Sequence, residues 1–427
     1  MGTEAMRSLV TLAWASAWHR RFALSLVVLS LALSTFLLLM VERVRHDVRD
    51  NFSNAVSGTD LIVGARSGAV QLLLYSVFRI GQPTQTIEYR TVQALQEDLA
   101  VKWVLPISLG DTHRGYPVVA TTPAYFEHFR YGARRALVMR EGQRFEGVFE
   151  AVLGAEVAQR LGYTLGQRLV LRHGSGALDN TDHEDMPFTV VGILQRTGTP
   201  VDRSVHIRLE GMQALHIDWI AGMPLPGAKR TSAEEAQALD LTPRSVTAVL
   251  VGLKARGSVF AVQRRINGFE AEPLMAVLPG VTLDELWGTV AQAEQALTLM
   301  SVLVGIVSLA GLMAVVMTAL EQRRRELAVL RSVGAGPRRV FLLLLIEGLW
   351  VSLSGAALGT AAWAAVLWGA APWVQAEYGI ILTSGLPRAR EASLVGAVVV
   401  AGTIASLWPG WRAYRLSLAD GLAPRGA

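Results

Sequence analysis

The chain has 427 residues, of which 51% are hydrophobic and 18% are charged, and its mean hydropathy is +0.35. This balance excludes an ordinary soluble protein. The formal charge is +5 and the pI is 9.7, but the basic residues do not cluster on one soluble segment, which excludes a nucleic-acid binder. There is no cysteine, so any part that folds in an oxidising compartment relies on its core without disulfides.

Residues 1–21 read as a cytosolic or interfacial helix. Within "MRSLVTLAWASAWH", Leu9, Leu12, Ala13 and Ser16 share a face and Trp14 and Trp18 an adjoining one. Residues 22–42 form the first apolar run, with no charge from Phe22 to Val41. That is the length a bilayer core needs. No small-x-small cleavage site follows it, so it reads as a retained anchor.

Residues 43–295 are mostly polar, with 26 basic and 26 acidic residues between 43 and 290. That is enough chain for globular domains with real cores. "ERVRHDVRDNFSNAV" continues the first helix as a stalk. "TDLIVG", "VKWVLPISLG", "YPVVATT", "QRLVLRHG" and "FTVVGIL" have strand composition with Gly or Pro brakes. "TPAYFEHFR", "AEVAQRLG" and "SVFAVQRRINGFE" have helical periodicity. An α+β domain follows.

Within that domain, "RHGSGALDNTDHEDMP" concentrates His173, Asp179, Asp182, His183, Glu184 and Asp185. Carboxylate and imidazole together suit a divalent metal such as zinc. No diagnostic spacing accompanies them, and a polar hairpin loop explains the segment as well. His206 and His216 lie downstream.

Three more apolar runs complete the chain: 296–320, 340–371 and 392–411, separated by a basic loop at 321–339 and a short connection at 372–391, with 412–427 as the tail. Ser301/Gly305 and Gly355/Gly359 are small-xxx-small pairs that allow close helix approach. Trp368, Trp373, Trp408 and Trp411 stand where interface belts belong. Glu347 is the single ionisable side chain inside a span. Pairing or snorkelling is the structural reading for it, a proton relay the functional one.

Residues 1–21, 321–339 and 412–427 together carry twelve basic and four acidic residues. The positive-inside rule therefore places both termini and the 321–339 loop in the cytoplasm, and the large domain on the other side of the membrane. The fold class is an α-helical membrane protein with four transmembrane helices and an α+β extracytoplasmic domain between the first and second.

No GxxxxGK[ST], HExxH, CxxC or GxSxG motif occurs, so nothing marks the chain as an enzyme and nucleotide energy must come from a partner. The loop "EQRRRELAVLRSVGAGPRRV" sets Leu327, Leu330 and Gly334 on one helical face, flanked by Val329 and Val333, before Pro337. An ordered apolar face on a short basic helix is suited to docking.

Here the sequence resembles the FtsX/MacB/LolC-type permeases of ABC transporters. Glu321, Arg323, Arg325, Glu326, Leu327, Leu330, Arg331, Gly334, Ala335 and Glu347 match that family's loop and following helix. In "PGWRAYRLSLADGL", Pro409, Arg412, Ala413, Arg415, Leu416, Asp420 and Leu422 match its C-terminal motif, with Leu418 in place of the usual Pro and Gly421 in place of the usual Ala. The resemblance implies the MacB-like, type VII permease architecture. It implies that Arg325, Glu326, Leu327, Leu330, Arg331, Val333, Gly334 and Ala335 form a coupling helix seated on a dimeric cytosolic ATPase. It further implies a second permease copy, identical or not, ATP and Mg on the ATPase rather than on this chain, and a periplasmic binding protein or effector. Members of the family export, extract lipoproteins or only transmit force. Two functions therefore stay open: transport, and mechanical signalling to a partner such as a cell-wall hydrolase. A zinc-linked system is a third.

Overall fold

The computed structural model describes residues 21–55, 57–173, 183, 185–220, 223–224, 231–322, 336–378 and 382–415. The chain divides into two compact units. One comprises Met1–Asp47, Ala291–Trp373 and Leu382–Ala427; the other comprises Val48–Val290 and Val374–Ile381.

The first unit is helical. Among the described residues, four helices are long and apolar enough to cross a membrane, over Leu24–Ala55, Pro279–Val315, Leu344–Gln375 and Ala389–Trp408. Their apolar side chains divide into two sets. Leu24, Val27 and Leu31 of the first helix pack with Leu312 of the second and Leu344 and Val351 of the third. Leu26, Leu29, Leu33, Leu299, Met300, Ile306, Val307, Val400 and Ile404 are exposed, as side chains facing lipid tails would be. In lipid, burial of apolar surface no longer drives helix association, so close packing and hydrogen bonds must.

Small residues supply that packing. A Cβ at Gly355 would meet Leu31 and Val28 of the first helix, and one at Gly359 would meet Ala32 and Thr35. The Ser30 and Ser308 hydroxyls lie 2.7 Å apart, joining the first and second helices, and a Cβ at Gly305 would press on Ser34. The third and fourth helices add a reciprocal seam. Gly348 faces Ser406 and Gly402 faces Ser352. Each of these serines bonds back to the carbonyl one turn earlier in its own helix, Ser352 to Gly348 at 2.7 Å and Ser406 to Gly402 at 3.2 Å, so its polar atom is satisfied without water.

The second unit is α+β. An antiparallel sheet runs in the order Leu274–Val277, Leu61–Ala65, Ala248–Leu253, Val101–Ile107. A larger mixed sheet runs Arg168–Leu169, Phe188–Leu194, Glu150–Leu153, Val205–Arg208, Tyr116–Thr121, Asp111–His113, Arg172–His173. Met139–Gly142 also pairs with Phe188–Leu194. The parallel pairs are Phe188–Leu194 with Glu150–Leu153 and Val205–Arg208 with Tyr116–Thr121. Strands in the interior of both sheets are apolar on both faces, and Leu61, Val63, Val118, Ala151, Val205 and Val251 are fully buried in one continuous cluster.

The larger sheet curls on itself. Its two edge strands, Arg168–Leu169 and Arg172–His173, are separated in sequence by Val170 and Leu171 alone. So short a link spans about 10 Å at full extension, so the edges must lie together. His113 clasps the join. Its Nδ1–H donates to the Val170 carbonyl at 2.7 Å, and its Nε2 accepts from the Tyr163 hydroxyl at 3.1 Å. The segment "QRLVLRHG", read from sequence as one strand, is thus two short strands on opposite edges.

Helical residues from both ends of the second unit pack on a second apolar cluster. Phe52 stacks on Phe78 with centroids 4.2 Å apart and meets Trp287 edge-on at 5.6 Å. Leu283 is buried beside them.

Candidate functional site

Of the residues singled out from sequence, the coupling-helix set Arg325, Glu326, Leu327, Leu330, Arg331, Val333, Gly334 and Ala335 lies outside the described residues, as do Asp179, Asp182 and Glu184. Glu347 is buried within the membrane unit at 3% exposure. His173, His183 and Asp185 are described, and their fates differ. Asp185 is exposed. His183 is buried, its ring 5.5 Å from that of His216. His173 joins a cluster formed with two residues from other parts of the chain.

That cluster is Asp111, His173 and His216. Strand Arg172–His173 pairs antiparallel with Asp111–His113, placing His173 opposite Asp111. His216 closes the helix Leu209–Leu215. The distances are 2.9 Å from His173 Nδ1 to Asp111 Oδ1, 3.0 Å from His216 Nε2 to His173 Nδ1, and 3.5 Å from His216 Nε2 to Asp111 Oδ1. The Nδ1–H of His216 donates to the Met212 carbonyl at 2.9 Å. Burial alone would raise the Asp111 carboxyl, but hydrogen bonds from His173 and His216 overcome it and hold the group at about 2. Burial alone would lower His216, but Asp111 outweighs it and raises this imidazole. Asp111 offered no signal in the sequence, since a lone carboxylate between two strands is common.

A second feature went unread. Arg43, two residues beyond the apolar run of the first helix, points its guanidinium at Glu391 with Nε–Oε1 at 2.6 Å and Nη2–Oε2 at 2.7 Å. Its Nη1 donates to the Thr383 carbonyl at 2.7 Å, and its Cζ lies 4.9 Å from the Trp363 ring centroid. Asp47, one turn on, accepts from the Thr383 backbone at 2.8 Å and from Arg388 at 3.0 Å. All these residues belong to the membrane unit, and they join the first, third and fourth helices. The available signal was two opposite charges, each within two residues of an apolar run.

In the globular unit, a cavity of about 400 Å³ is lined by Phe52, Phe78, Arg79, Tyr116, Thr199 and Arg203 among others. Arg79 has a left-handed backbone, φ 60°, and its Nε and Nη1 are buried. Burial pushes the neighbouring Tyr125 phenol up to about 12, against the partial opposition of the Arg79 charge. Asp202 shapes the loop at the cavity's edge, accepting from the backbones of Thr197 at 2.8 Å and Gly198 at 2.7 Å.

Comparison with known proteins locates this architecture. The family model described as MacB-like periplasmic core domain matches residues 22–268, and the FtsX-like permease C-terminal model matches 298–418. The periplasmic region of MacB from Actinobacillus actinomycetemcomitans is similar at 9% identity and TM-score 0.33, over 55% of this chain and 97% of that one. The extracellular domain of the noncanonic ABC-type transporter YknZ from Gram-positive bacteria is similar at 11% identity and TM-score 0.30, over 51% of this chain and 98% of that one. No curated protein matches. Proteins of the matched family are membrane subunits that work with a cytosolic ABC ATPase. With four apolar helices and the matched extracytoplasmic domain following the first, the chain belongs to the FtsX/MacB family of ABC transporter permeases.

Proposed function

We propose that this chain couples ATP hydrolysis by a separate cytosolic ATPase to movement of its extracytoplasmic domain, for export or extraction of a substrate. In this reading both termini face the cytoplasm of a bacterial inner membrane, and two permease copies pair with two ATPase subunits. One observation carries it: the two matched regions stand in order on one chain, at 22–268 and 298–418, with the basic 321–339 segment between the second and third spans.

The packing of the membrane unit supports the same reading. Coupling requires that binding in the cytoplasm and conformation across the membrane bias each other reciprocally. Helices joined by glycine contacts and by buried ion pairs move as packed bodies rather than as independent rods. A displacement imposed on residues 321–336 would therefore reach the second and third spans together.

The test is reconstitution with the partner ATPase in liposomes. Leu330→Asp combined with Glu326→Lys is expected to abolish the permease-dependent part of ATP hydrolysis while membrane insertion stays intact. If this double variant still binds its ATPase and supports full function, the coupling assignment fails.

A further inference from the structure

Three polar ligand atoms in the extracytoplasmic domain converge on one point. Asp111 Oδ1, His173 Nδ1 and His216 Nε2 form a triangle with edges of 2.9, 3.0 and 3.5 Å. Its circumscribed circle has a radius of about 1.8 Å, so an ion bound at the usual zinc–nitrogen distance would sit about 0.9 Å above the plane of the three atoms. Ligands around such an ion lie about 3.3 Å apart when tetrahedral and about 2.9 Å apart when octahedral; two of the edges fall within that interval, and the third, at 3.5 Å, is slightly longer than the tetrahedral value.

The surroundings also suit a cation. The Asp111 side chain is fully buried, whereas those of His173 and His216 are 32% and 25% exposed. In the neutral ring, the bond from His216 Nδ1–H to Met212 selects the tautomer with its lone pair on Nε2, the atom aimed at the cluster, so a bound ion would replace the proton that Nε2 shares with Asp111. His183 adds a third imidazole against the His216 ring.

We propose that Asp111, His173 and His216 form a divalent transition-metal site of the zinc type. Two imidazoles and one carboxylate favour zinc, cobalt, nickel or copper over magnesium and calcium, which prefer all-oxygen sets. The site lies where the two edges of the curled sheet meet. A bound ion would tie strand Arg172–His173, strand Asp111–His113 and the end of helix Leu209–Leu215 together. It is independent of the coupling reading, since none of its residues is in the membrane unit.

The experiment uses the full chain in detergent, stripped with chelator and titrated with zinc chloride by calorimetry, and in parallel with cobalt chloride by visible absorption. One ion per chain at micromolar Kd or tighter is expected, with cobalt d–d bands and a rise of several degrees in Tm on adding zinc. His216→Gln and His173→Gln should each weaken zinc at least a hundredfold. The Tm of the metal-free variants, compared with metal-free wild type, reports whether they fold. His206→Gln, elsewhere in the same domain, should leave zinc affinity unchanged. No zinc heat in the wild type at micromolar metal would overturn the site. So would undiminished binding by a folded His216→Gln variant, or equal loss in His206→Gln.

Discussion

Arg43 and Glu391, 348 positions apart, meet in a bidentate ion pair in which both side chains are 2% exposed. The two groups stand at the ends of apolar runs, where neither would be stable alone. Parallel N–H···O bonds, the Trp363 ring and the Thr383 carbonyl together compensate the desolvation of the guanidinium.

Removing one partner should therefore cost more than removing both. Glu391→Leu leaves Arg43 buried without its carboxylate, and about 3–5 kcal/mol of stability should be lost. Arg43→Met combined with Glu391→Leu should recover much of that loss. Thermal unfolding in detergent reads the comparison, and a double variant no more stable than the single one would refute the pairing energetics.

The seam between the third and fourth helices makes a steric prediction. Gly402→Leu drives a side chain into Ser352, whereas at Gly396 nothing lies within 4 Å. Overpacking at the first position should destabilise by about 1–3 kcal/mol, while Gly396→Leu should be near neutral. Equal effects in an unfolding titration would count against the seam.

Acid should weaken the globular unit through His206. This residue is fully buried, with Nδ1 3.3 Å from the Val152 carbonyl and its ring 5.5 Å from Tyr125. Burial, aided by the Arg79 charge, lowers its pKa from 6.5 to about 3. Between those values the unfolded state holds a proton the folded state lacks, so stability falls as pH drops through that window, by up to about 1.4 kcal/mol per pH unit. Above pH 6.5 the group has no effect. His206→Phe should shrink the stability difference between pH 7 and pH 5 by about 2 kcal/mol. An unchanged difference in denaturant titrations would show that His206 is not held neutral.

The loop at the cavity's edge depends on Asp202, which is 3% exposed and accepts from the backbones of Thr197 and Gly198 and from the Thr197 hydroxyl. Asp202→Ala leaves these donors without their acceptor, and a cost of about 2–4 kcal/mol is expected. Asp202→Asn, which keeps one acceptor oxygen, should cost less. Calorimetric Tm values for the two variants rank them, and a reversed order would mean that the loop is held some other way.

Local features were legible where the physics is local. Uninterrupted apolar runs announced the spans, because backbone polar groups in lipid must be satisfied within one helix. Strand composition with Gly or Pro brakes marked the strands Leu61–Ala65, Tyr116–Thr121 and Phe188–Leu194, and helical periodicity marked the helix Val259–Asn267, because side-chain facing repeats with the backbone. The spacing of Gly355 and Gly359 announced a close helix contact, and the first helix is what they touch.

Partner choice was not legible. Leu169 pairs with the nearby Phe188, as a hairpin would, yet three residues later Arg172 pairs with Thr112. Nothing in "QRLVLRHG" distinguishes the two, because alternation encodes which face a side chain takes and not which strand lies beside it. That one switch brings His173 to Asp111, and the helix ending at Leu215 brings His216 to both. Arg43 likewise reads as one charge in a balanced stalk until Glu391 is placed against it. The sequence by itself determined the spans, the α+β elements and the family. Only the tertiary structure decided which buried charges and imidazoles meet, because closing loops of 62 and 348 residues depends on the packing of the whole unit and leaves no periodic mark along the chain.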